Sequence, residues 1–282
     1  MEAIRGYRKR KDFLVCVDSD GCAMDTMECK HRHCFGPCLV EEWGLEAYAG
    51  QVLERWNEIN LYSVTRGINR FSALALLLRE IGGGIVPAEG IGTLEEWTMS
   101  APELSETALA AELERRPDPC LAKALRWSRA VNRKIAELPE DAGRPFPGVR
   151  ESLGILHESA DIAVVSSANR DAVRDEWTRS GLADFADIFL TQEAGSKKAC
   201  IAAMLRFGYR AENVLMAGDA PGDLKAASDN GTGFFPVLAG KEEESWKALR
   251  EEGIRRLVSG TFRGGYAESL LESFYKNFHA VT

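Results

Sequence analysis

Two aspartates near the start of the sequence, Asp18 and Asp20, have the type and spacing that metal-assisted chemistry requires. They follow the apolar run Phe13 to Val17, and Gly21 comes directly after them. Two neighbouring carboxylates raise each other's pKa unless a cation or a proton shares the site. Oxygen atoms are the ligands that Mg²⁺ prefers. The pattern therefore predicts a divalent-cation site, and the alternative is an acidic turn after a strand.

Four further polar residues follow predicted strands or lie near predicted helix starts: Ser166, Lys197, Asp219 and Asp223. Each has an ordinary structural alternative. Ser166 fits a helix cap, because serine oxygens accept from the free N–H groups of a helix start. Lys197 fits a solvated lysine, although a cation is slightly disfavoured near a helix N-terminus. Asp219 fits a turn.

The elements that must position these residues alternate between strand and helix after residue 145. Such alternation predicts βαβ units and a parallel sheet, whose ligands bind outside the carboxyl ends of the strands. We predict an α/β fold with a doubly wound parallel sheet of about five strands. The predicted strands are Phe13–Val17, Ile162–Ser166, Ile188–Leu190, Asn213–Ala217 and Gly233–Leu238.

A long helical segment interrupts this pattern after the first strand. Apolar residues at spacings of three and four predict helices at residues 48–61, 71–81, 107–115 and 121–138, with a loop at residues 89–105. The sequence therefore predicts an α/β core domain of residues 1–24 and 143–282 and an inserted α-helical domain of residues 25–142.

The start of the insertion contains Cys29, His31, His33, Cys34 and Cys38. These are zinc-ligand types, but neither C-x-x-C nor H-x-x-x-H spacing occurs. Apolar residues are spread among them as in an amphipathic helix. We predict packed helical cysteines here rather than a structural zinc site.

Charge and composition exclude several classes of function. The 282 residues include 43 acidic and 35 basic ones, and the formal net charge of -8 disfavours a nucleic-acid or anionic-membrane surface. No apolar run approaches the roughly 18 residues of a membrane span. Residues 1–11 lack the apolar stretch of a signal peptide. The odd number of cysteines, seven, then predicts reduced thiols and a cytoplasmic location.

The polar residues occur in an order that resembles the haloacid dehalogenase-like hydrolase superfamily. Asp18-Ser19-Asp20-Gly21 is similar to the first motif of that family, and Asp25-Thr26 stands at the position of its recurrent Asp-Ser/Thr. Val164-Val165-Ser166 resembles the second motif, a strand that ends in Ser or Thr. The position of the helical insertion, between these two motifs, resembles members with an inserted cap over a Rossmann-like core.

The remaining two motifs lie further along the chain. Lys197 matches the lysine motif, and Lys198 is the alternative because the usual Lys-Pro-x-Pro context is missing. Residues 214–223 resemble the fourth motif, an apolar strand that leads into Gly-Asp-x-x-x-Asp. The resemblance covers nearly the whole chain, with all four motifs in order.

The resemblance implies a Mg²⁺-dependent phosphatase acting on a small phosphorylated metabolite. It implies Asp18 as the nucleophile, which would form an aspartyl-phosphate, and Asp20 as the general acid and base. The implied Mg²⁺ ligands are Asp18, the backbone carbonyl of Asp20, and Asp219, with Asp223 either a ligand through water or a partner of Lys197.

The phosphoryl oxygens and the rest of the substrate require further groups. The resemblance implies that Lys197 and the Ser166 hydroxyl hold the phosphoryl oxygens, and the backbone N–H of Ser167 is a further candidate. Gly67 to Arg70 resembles a cap segment that reaches the substrate in phosphomutase-like members. Arg70 and Arg66 are therefore the candidate substrate contacts in the cap, which would close as a lid.

Several alternatives stay open at this point. A phosphomutase would use the same residues and differ only in whether water or a substrate takes the phosphoryl group. A phosphonatase would need a cap lysine, for which Lys30 is available, although Asp20 disfavours it. A binding protein that keeps the fold without catalysis would be expected to lack Asp18 or Asp20, and both are present. The sequence leaves the natural substrate and the oligomeric state undetermined.

Overall fold

The computed structural model describes residues 4–85, 90–139 and 142–278. These residues form two compact units. The sheet unit comprises residues 4–27 and 143–278, and the helical unit comprises residues 28–85, 90–139 and 142. The chain passes from the sheet unit to the helical unit between Met27 and Glu28, and it returns at Gly143.

The sheet unit is built on a five-stranded parallel sheet with the strand order β5-β4-β1-β6-β7. A second, two-stranded antiparallel sheet pairs β2 with β3. The strands are β1 Phe13–Val17, β2 Met24–Asp25, β3 Arg144–Pro145, β4 Ala160–Val165, β5 Ile188–Leu190, β6 Val214–Gly218 and β7 Gly233–Pro236. The predicted doubly wound parallel sheet is confirmed.

The central strand β1 is the topological switch point of the sheet. From β1 the chain continues to β4 and β5 on one side, and then to β6 and β7 on the other. The crevice at the carboxyl end of such a strand is where ligands bind in open α/β sheets. The order of the strands therefore directs attention to the residues that follow Val17.

The side chains of β1 alternate between two apolar layers, one on each face of the sheet. Val15 and Val17 belong to the first layer, and Leu14 and Cys16 belong to the second. All four side chains are fully buried. Helices cover both faces, which explains why this strand is a continuous apolar run and not an alternation of apolar and polar residues.

The helices of the sheet unit cover these two layers. They are α8 Val149–Ser159, α9 Arg170–Arg179, α10 Lys197–Leu205, α11 Pro221–Asp229, α12 Glu242–Ala248, α13 Ile254–Val258 and α14 Gly265–Lys276. A π-helical turn at Leu249–Gly253 connects α12 to α13, and short 3₁₀ turns lie at Ala183–Phe185, Gln192–Ala194 and Ala211–Asn213.

The helical unit has its own apolar core, which includes the buried side chains of Phe35, Trp56, Phe71 and Trp127. Its helices, with α1 beginning at the unit boundary, are α1 Met27–Lys30, α2 Gly36–Trp43, α3 Ala49–Asn57, α4 Arg70–Ile81, α5 Ile91–Ser100, α6 Glu106–Arg115 and α7 Pro119–Ala136. π-Helical turns lie at His31–Phe35 and Glu58–Tyr62, and a 3₁₀ turn at Glu46–Tyr48.

The prediction of a loop at residues 89–105 is wrong for Ile91–Ser100, because these residues form α5. Residue 89 lies outside the described residues. Ile91, Leu94 and Trp97 are buried on one face of this helix. Trp97 packs edge-on against Phe71, with ring centroids 5.3 Å apart. Packing against the core stabilises a helix that begins after Gly90 and has a weak sequence pattern.

The cysteine-containing segment is helical, as predicted. Helical residues run from Met27 through the π-helical turn to Trp43. Cys34 and Cys38 are buried and Cys29 is half-buried. Among the described residues, none of these cysteines or histidines belongs to a group of three or more side chains placed to hold a metal ion.

A buried polar cluster lies at the amino end of β4, away from the strand ends that follow Val17. Asp161 is fully buried, and its Oδ2 accepts from the backbone N–H groups of Arg10 (2.9 Å) and Lys11 (3.1 Å). The hydroxyl of Tyr209 also donates to this oxygen, and the hydroxyl of Tyr7 contacts that of Tyr209 at 2.5 Å. These bonds fix residues 7–11 against the sheet.

None of the helices in the described part of the chain has both the length and the apolarity that a membrane span requires.

Candidate active site

The sequence-predicted site residues of the sheet unit lie at the carboxyl ends of three neighbouring strands. Val17 pairs with Val164 of β4 and with Ala217 of β6. Asp18 follows Val17, and its backbone N–H donates to the carbonyl of Ala217 at 3.0 Å. The parallel register thus aligns the ends of β1, β4 and β6, so that polar residues just beyond each strand lie at one edge of the sheet.

Lys197 joins two aspartates at this edge. Its Nζ lies 2.7 Å from Oδ2 of Asp18 and 2.6 Å from Oδ1 of Asp223. The Lys197 side chain is 16% exposed, while those of Asp18 and Asp223 are 7% and 0% exposed. These short ion pairs are therefore largely removed from water, where electrostatic interactions are strong.

Local helix geometry explains how Lys197 and Asp223 reach each other. Lys197 is the first residue of α10, whose N-cap Ser196 accepts from Ala199 N–H at 3.2 Å. Asp223 lies in the first turn of α11, and its Oδ2 accepts from Ala220 N–H at 3.1 Å. The two carboxylates offset the cost of a lysine at a helix N-terminus.

The predicted alternative lysine, Lys198, lies elsewhere. Its Nζ pairs with Oδ2 of Asp229 at 3.0 Å, and its side chain is 60% exposed. Of these two neighbouring lysines, Lys197 is the one that contacts Asp18.

Three buried aspartates offer a compact set of metal ligands. Asp18, Asp219 and Asp223 each contribute one carboxylate oxygen, and these oxygens all lie within 4.8 Å of one another. An all-oxygen anionic donor set suits a hard divalent cation, and Mg²⁺ binds through carboxylates and completes its shell with water. The residues present therefore fit the Mg²⁺ that the sequence predicts.

The crowding of charge shifts the pKa values of these groups. Burial raises the pKa of the Asp18 carboxyl well above its ordinary value, Lys197 opposes this rise, and Asp223 and Asp219 add to it. The pKa of Asp223 is also raised, chiefly by burial. Burial alone would lower the pKa of Lys197, but Asp18 and Asp223 raise it above its ordinary value. The lysine is therefore a permanent cation at neutral pH.

Glycine at position 218 is required by the space that Asp223 occupies. A Cβ added to Gly218 would lie 2.4 Å from both Cβ and Cγ of Asp223. Real Cβ atoms essentially never approach other atoms so closely. The glycine before Asp219 therefore lets the first turn of α11 come against the end of β6.

Asp20 lies two residues beyond Asp18, in a tight turn. Gly21 has a φ of 78° and its N–H donates to Met24 carbonyl at 2.9 Å, which closes the turn. The hydroxyl of buried Thr26 donates to Oδ1 of Asp20. Asp20 itself is half-buried. Its role as general acid and base stays a prediction.

The predicted phosphate-binding serines lie at the end of β4. Ser166 is buried, its N–H donates to Leu190 carbonyl at 3.0 Å, and its Oγ accepts from Ala168 N–H at 3.2 Å. Ser167 is exposed. Their roles toward a phosphoryl group stay predictions.

The two predicted cap arginines, Arg66 and Arg70, belong to the helical unit. Arg66 is buried, and its Nη1 donates to Leu61 carbonyl at 2.7 Å. Arg70 Nη1 donates to Asn132 Oδ1 at 2.8 Å and to Ser128 Oγ at 3.3 Å. Both guanidinium groups thus take part in contacts within the unit, and substrate contact by either stays a prediction.

One contact at the site has no counterpart in the sequence analysis. The indole Nε1–H of Trp177 donates to Ser19 Oγ at 3.0 Å, and both residues are fully buried. They lie 158 positions apart in the chain. No local sequence motif predicts such a pair. The sequence does indicate that a serine between the two aspartates of a buried turn needs a hydrogen-bond partner.

Comparison with known proteins finds one family model that matches part of the chain. The model of the haloacid dehalogenase-like hydrolases matches residues 102–237. No curated protein matches the sequence.

Solved structures share the fold over most of the chain. A protein described as a haloacid dehalogenase-like hydrolase, from Bacteroides fragilis, has a TM-score of 0.51 at 13% identity, covering 84% of this chain and 93% of that one. A haloacid dehalogenase-like family hydrolase from Xanthomonas campestris has a TM-score of 0.51 at 15% identity, covering 90% and 97%. A protein named as a phosphoglycolate phosphatase, from Lactobacillus delbrueckii subsp. bulgaricus, has a TM-score of 0.50 at 15% identity, covering 80% and 85%.

The family model matches the part of the chain that carries Ser166, Lys197, Asp219 and Asp223, and the solved structures share the fold. This confirms the resemblance predicted from the four motifs. It also confirms the class of protein, a hydrolase.

Proposed function

We propose that this chain is a Mg²⁺-dependent phosphoric monoester hydrolase that acts on a small phosphorylated metabolite through an aspartyl-phosphate. The observation that carries the proposal is the Asp18–Lys197–Asp223 arrangement, with contacts of 2.7 and 2.6 Å, beside the third carboxylate, Asp219. It combines a nucleophile, a fixed cation and a donor set for a divalent metal in one buried cluster.

Phosphoryl transfer demands charge neutralisation and positioning more than covalent chemistry from the protein. Asp18, Asp219 and Asp223 would hold Mg²⁺, with the backbone carbonyl of Asp20 as a further ligand. When bound, the ion neutralises charge on the phosphoryl oxygens. Lys197 supplies a second positive charge, and the Ser166 hydroxyl and Ser167 N–H supply donors.

The reaction then proceeds in two steps on this chain's own residues. A carboxylate oxygen of Asp18 attacks phosphorus, the bond from phosphorus to the leaving oxygen breaks, and Asp20 protonates that oxygen. In the second step Asp20 takes a proton from water, which attacks the aspartyl-phosphate and releases inorganic phosphate. The Thr26 hydroxyl donates to Oδ1 of Asp20 and so helps to orient its carboxyl group.

The test is hydrolysis of p-nitrophenyl phosphate by wild type and Asp18→Asn, each with Mg²⁺ and with a chelator. We expect turnover by the wild type with Mg²⁺ and its loss on chelation or substitution, because either change removes an essential part of the first step. Phosphoglycolate and phosphorylated sugars then extend the assay to metabolites, with release of inorganic phosphate as the readout.

The outcomes separate the candidate activities. Full activity in Asp18→Asn, or turnover that is unaffected by chelation, would contradict the proposal. Conversion of one sugar phosphate into its isomer without net phosphate release would assign a phosphomutase, which uses the same residues. No turnover of any compound by a folded wild type would favour the non-catalytic alternative.

A further inference from the structure

Ser19, the residue between Asp18 and Asp20, makes hydrogen bonds in three directions. Its backbone N–H donates to Oδ1 of Asp18 at 2.8 Å. Its carbonyl accepts from the N–H groups of Cys22, Ala23 and Met24 at 2.9–3.3 Å, which closes the turn that carries Asp20. Its Oγ accepts from Trp177. Ser19 is fully buried, so that these protein partners stand in place of water.

The first of these bonds completes the fixation of the Asp18 carboxylate. Lys197 holds Oδ2 at 2.7 Å, and the N–H of Ser19 holds Oδ1 at 2.8 Å. The plane of the carboxylate is therefore defined by two donors, one from α10 and one from the residue next in sequence. A displacement of Ser19 would rotate or shift the carboxylate.

Trp177 is well suited to hold Ser19 still. It lies on α9, the helix that begins at Arg170 shortly after Ser166, and its side chain is fully buried in the apolar layer beneath the site. Its ring packs edge-on against Phe189 of β5, with ring centroids 5.8 Å apart. The indole N–H thus projects from a rigid support onto the turn.

We infer that Trp177 is a positioning residue for catalysis, which acts through its hydrogen bond to Ser19 Oγ and fixes the turn that presents Asp18 and Asp20. The hydrogen bond links the helix after the Ser166 loop to the turn after β1. A single side chain therefore fixes the positions of the turn after β1 and the Ser166 loop relative to each other, and both of these segments must bind the same phosphoryl group. The kinetic part of this inference rests on the proposed function.

The test is a double-mutant cycle of Trp177→Phe, Ser19→Ala and the double variant. Each single substitution removes one partner of the bond, and the double variant removes both. We expect each single variant to lose about 10- to 100-fold in kcat toward p-nitrophenyl phosphate, the range for partners that orient the groups of a metal site. We expect KM to change by less than about twofold, since neither side chain is expected to bind substrate.

The double variant separates positioning from a general loss of stability. Removing both partners of a buried hydrogen bond is less destabilising than leaving one unpaired. The thermal midpoint of the double variant is therefore expected to be no lower than that of Trp177→Phe. Its kcat is expected to stay as low as in the single variants, because the link is already absent in each of them.

Tyr209→Phe is the matched control. It also removes a buried donor to a buried oxygen, that of Asp161, at the opposite end of the strands. It is expected to lower the thermal midpoint while kcat stays within about twofold of wild type. A loss of kcat in Tyr209→Phe equal to that in Trp177→Phe would show that activity merely follows stability and would overturn the inference.

Calorimetric titration with Mg²⁺ alone makes the test independent of turnover. We expect Mg²⁺ affinity to fall about 10- to 100-fold in all three variants of the cycle and to be unchanged in Tyr209→Phe. If the wild type binds Mg²⁺ but hydrolyses no compound, the proposed function fails, and the affinities still decide on Trp177. Three outcomes would overturn the inference. The first is that Ser19→Ala and Trp177→Phe keep the wild-type kcat and Mg²⁺ affinity, and the second is that their losses multiply in the double variant. The third is that the wild type binds no Mg²⁺.

Discussion

The two ends of the central strands bury aspartates in opposite ways. At the amino end of β4, Oδ2 of Asp161 accepts from two backbone N–H groups and a tyrosine hydroxyl. At the carboxyl end, Asp18, Asp219 and Asp223 each place one carboxylate oxygen within 4.8 Å of the others. The ammonium group of Lys197 contacts Asp18 there. Asp161 accepts hydrogen bonds from uncharged donors, whereas Asp18 belongs to a group of like charges.

This difference separates a structural anchor from a candidate reaction site. Neutral donors hold Oδ2 of Asp161, while its Oδ1 has no hydrogen-bond partner among the described residues. Two of these donors are backbone N–H groups of Arg10 and Lys11, so the Asp161 cluster serves to fix the N-terminal segment. Three carboxylates beside Lys197 crowd negative charge into one place, and a proton or a metal ion relieves that crowding. Burial of an aspartate alone is therefore no sign of function, whereas the crowding of like charges around it is one.

Lys197→Ala tests the carboxyl end most severely. Removal of the cation that contacts Asp18 and Asp223 is expected to lower kcat for p-nitrophenyl phosphate by about 10²- to 10³-fold, as for loss of a preorganised donor to a developing charge. Lys198→Ala is the matched control, because Lys198 pairs with Asp229 and is 60% exposed. Equal losses in both variants would contradict the assignment of Lys197.

Gly218→Ala tests whether the geometry of the carboxyl end depends on close packing. The new Cβ would overlap Asp223, so we expect about 1–3 kcal/mol lower stability and about a tenfold loss of kcat as the carboxylate moves. Gly222→Ala, four residues away in α11, meets nothing within 4 Å. It is expected to keep wild-type kcat and to gain slightly in stability, because alanine favours the helix. Denaturant melts and steady-state kinetics compare the two, and a fully active and stable Gly218→Ala would exclude the steric account.

The pH dependence of stability gives the smallest effect. The folded pKa of Asp18 is raised above its ordinary 3.8, so the folded state without metal binds protons more tightly than the unfolded state does. This group therefore stabilises the fold least when pH lies above its raised pKa. The difference in thermal midpoint, Asp18→Asn minus wild type, should grow in favour of Asn as pH rises from the ordinary pKa of 3.8 through the raised pKa of the folded state.

The size of this effect follows from the linkage between pKa and stability. A pKa difference of one corresponds to about 1.4 kcal/mol of stability. For a domain of the size of the sheet unit, this is a few degrees in thermal midpoint. Thermal melts in a chelator give the difference directly, and saturating Mg²⁺ should reverse its sign because the ion stabilises the wild-type carboxylates. A difference that shrinks with rising pH in the absence of metal would contradict the direction assigned to Asp18.

Much of the sheet and of the charged cluster was predictable because local patterns encode them. An apolar run of strand length followed by Asp18, or by Gly218-Asp219, signals a buried strand whose carboxyl end carries ligands. Helix α5 was missed because its three buried residues, Ile91, Leu94 and Trp97, are stabilised by contacts with the rest of the helical unit. Its own sequence holds two polar threonines and a glycine and gives little helical signal.

Contacts between distant residues were beyond the sequence for a different reason. The choice between Lys197 and Lys198 depends on the direction in which α10 leaves its N-cap, and the bond from Trp177 to Ser19 depends on how α9 packs against the sheet. The Asp161 cluster was also missed, since an aspartate at the start of a strand has the same local pattern whether it is solvated or buried. Such pairings follow from tertiary packing and carry no spacing rule.

Direct detection of a phosphorylated Asp18 tests the central claim. Asp20→Asn should slow hydrolysis of the aspartyl-phosphate, because water then lacks its base, whereas p-nitrophenolate leaves readily without an acid. In the experiment, this variant is mixed with p-nitrophenyl phosphate and Mg²⁺, quenched, and examined by mass spectrometry. The account predicts a phosphoryl group on the peptide that contains Asp18. It predicts none in the double variant Asp18→Asn/Asp20→Asn. A phosphoryl group on another residue, or p-nitrophenol release at the wild-type rate by the double variant, would contradict it.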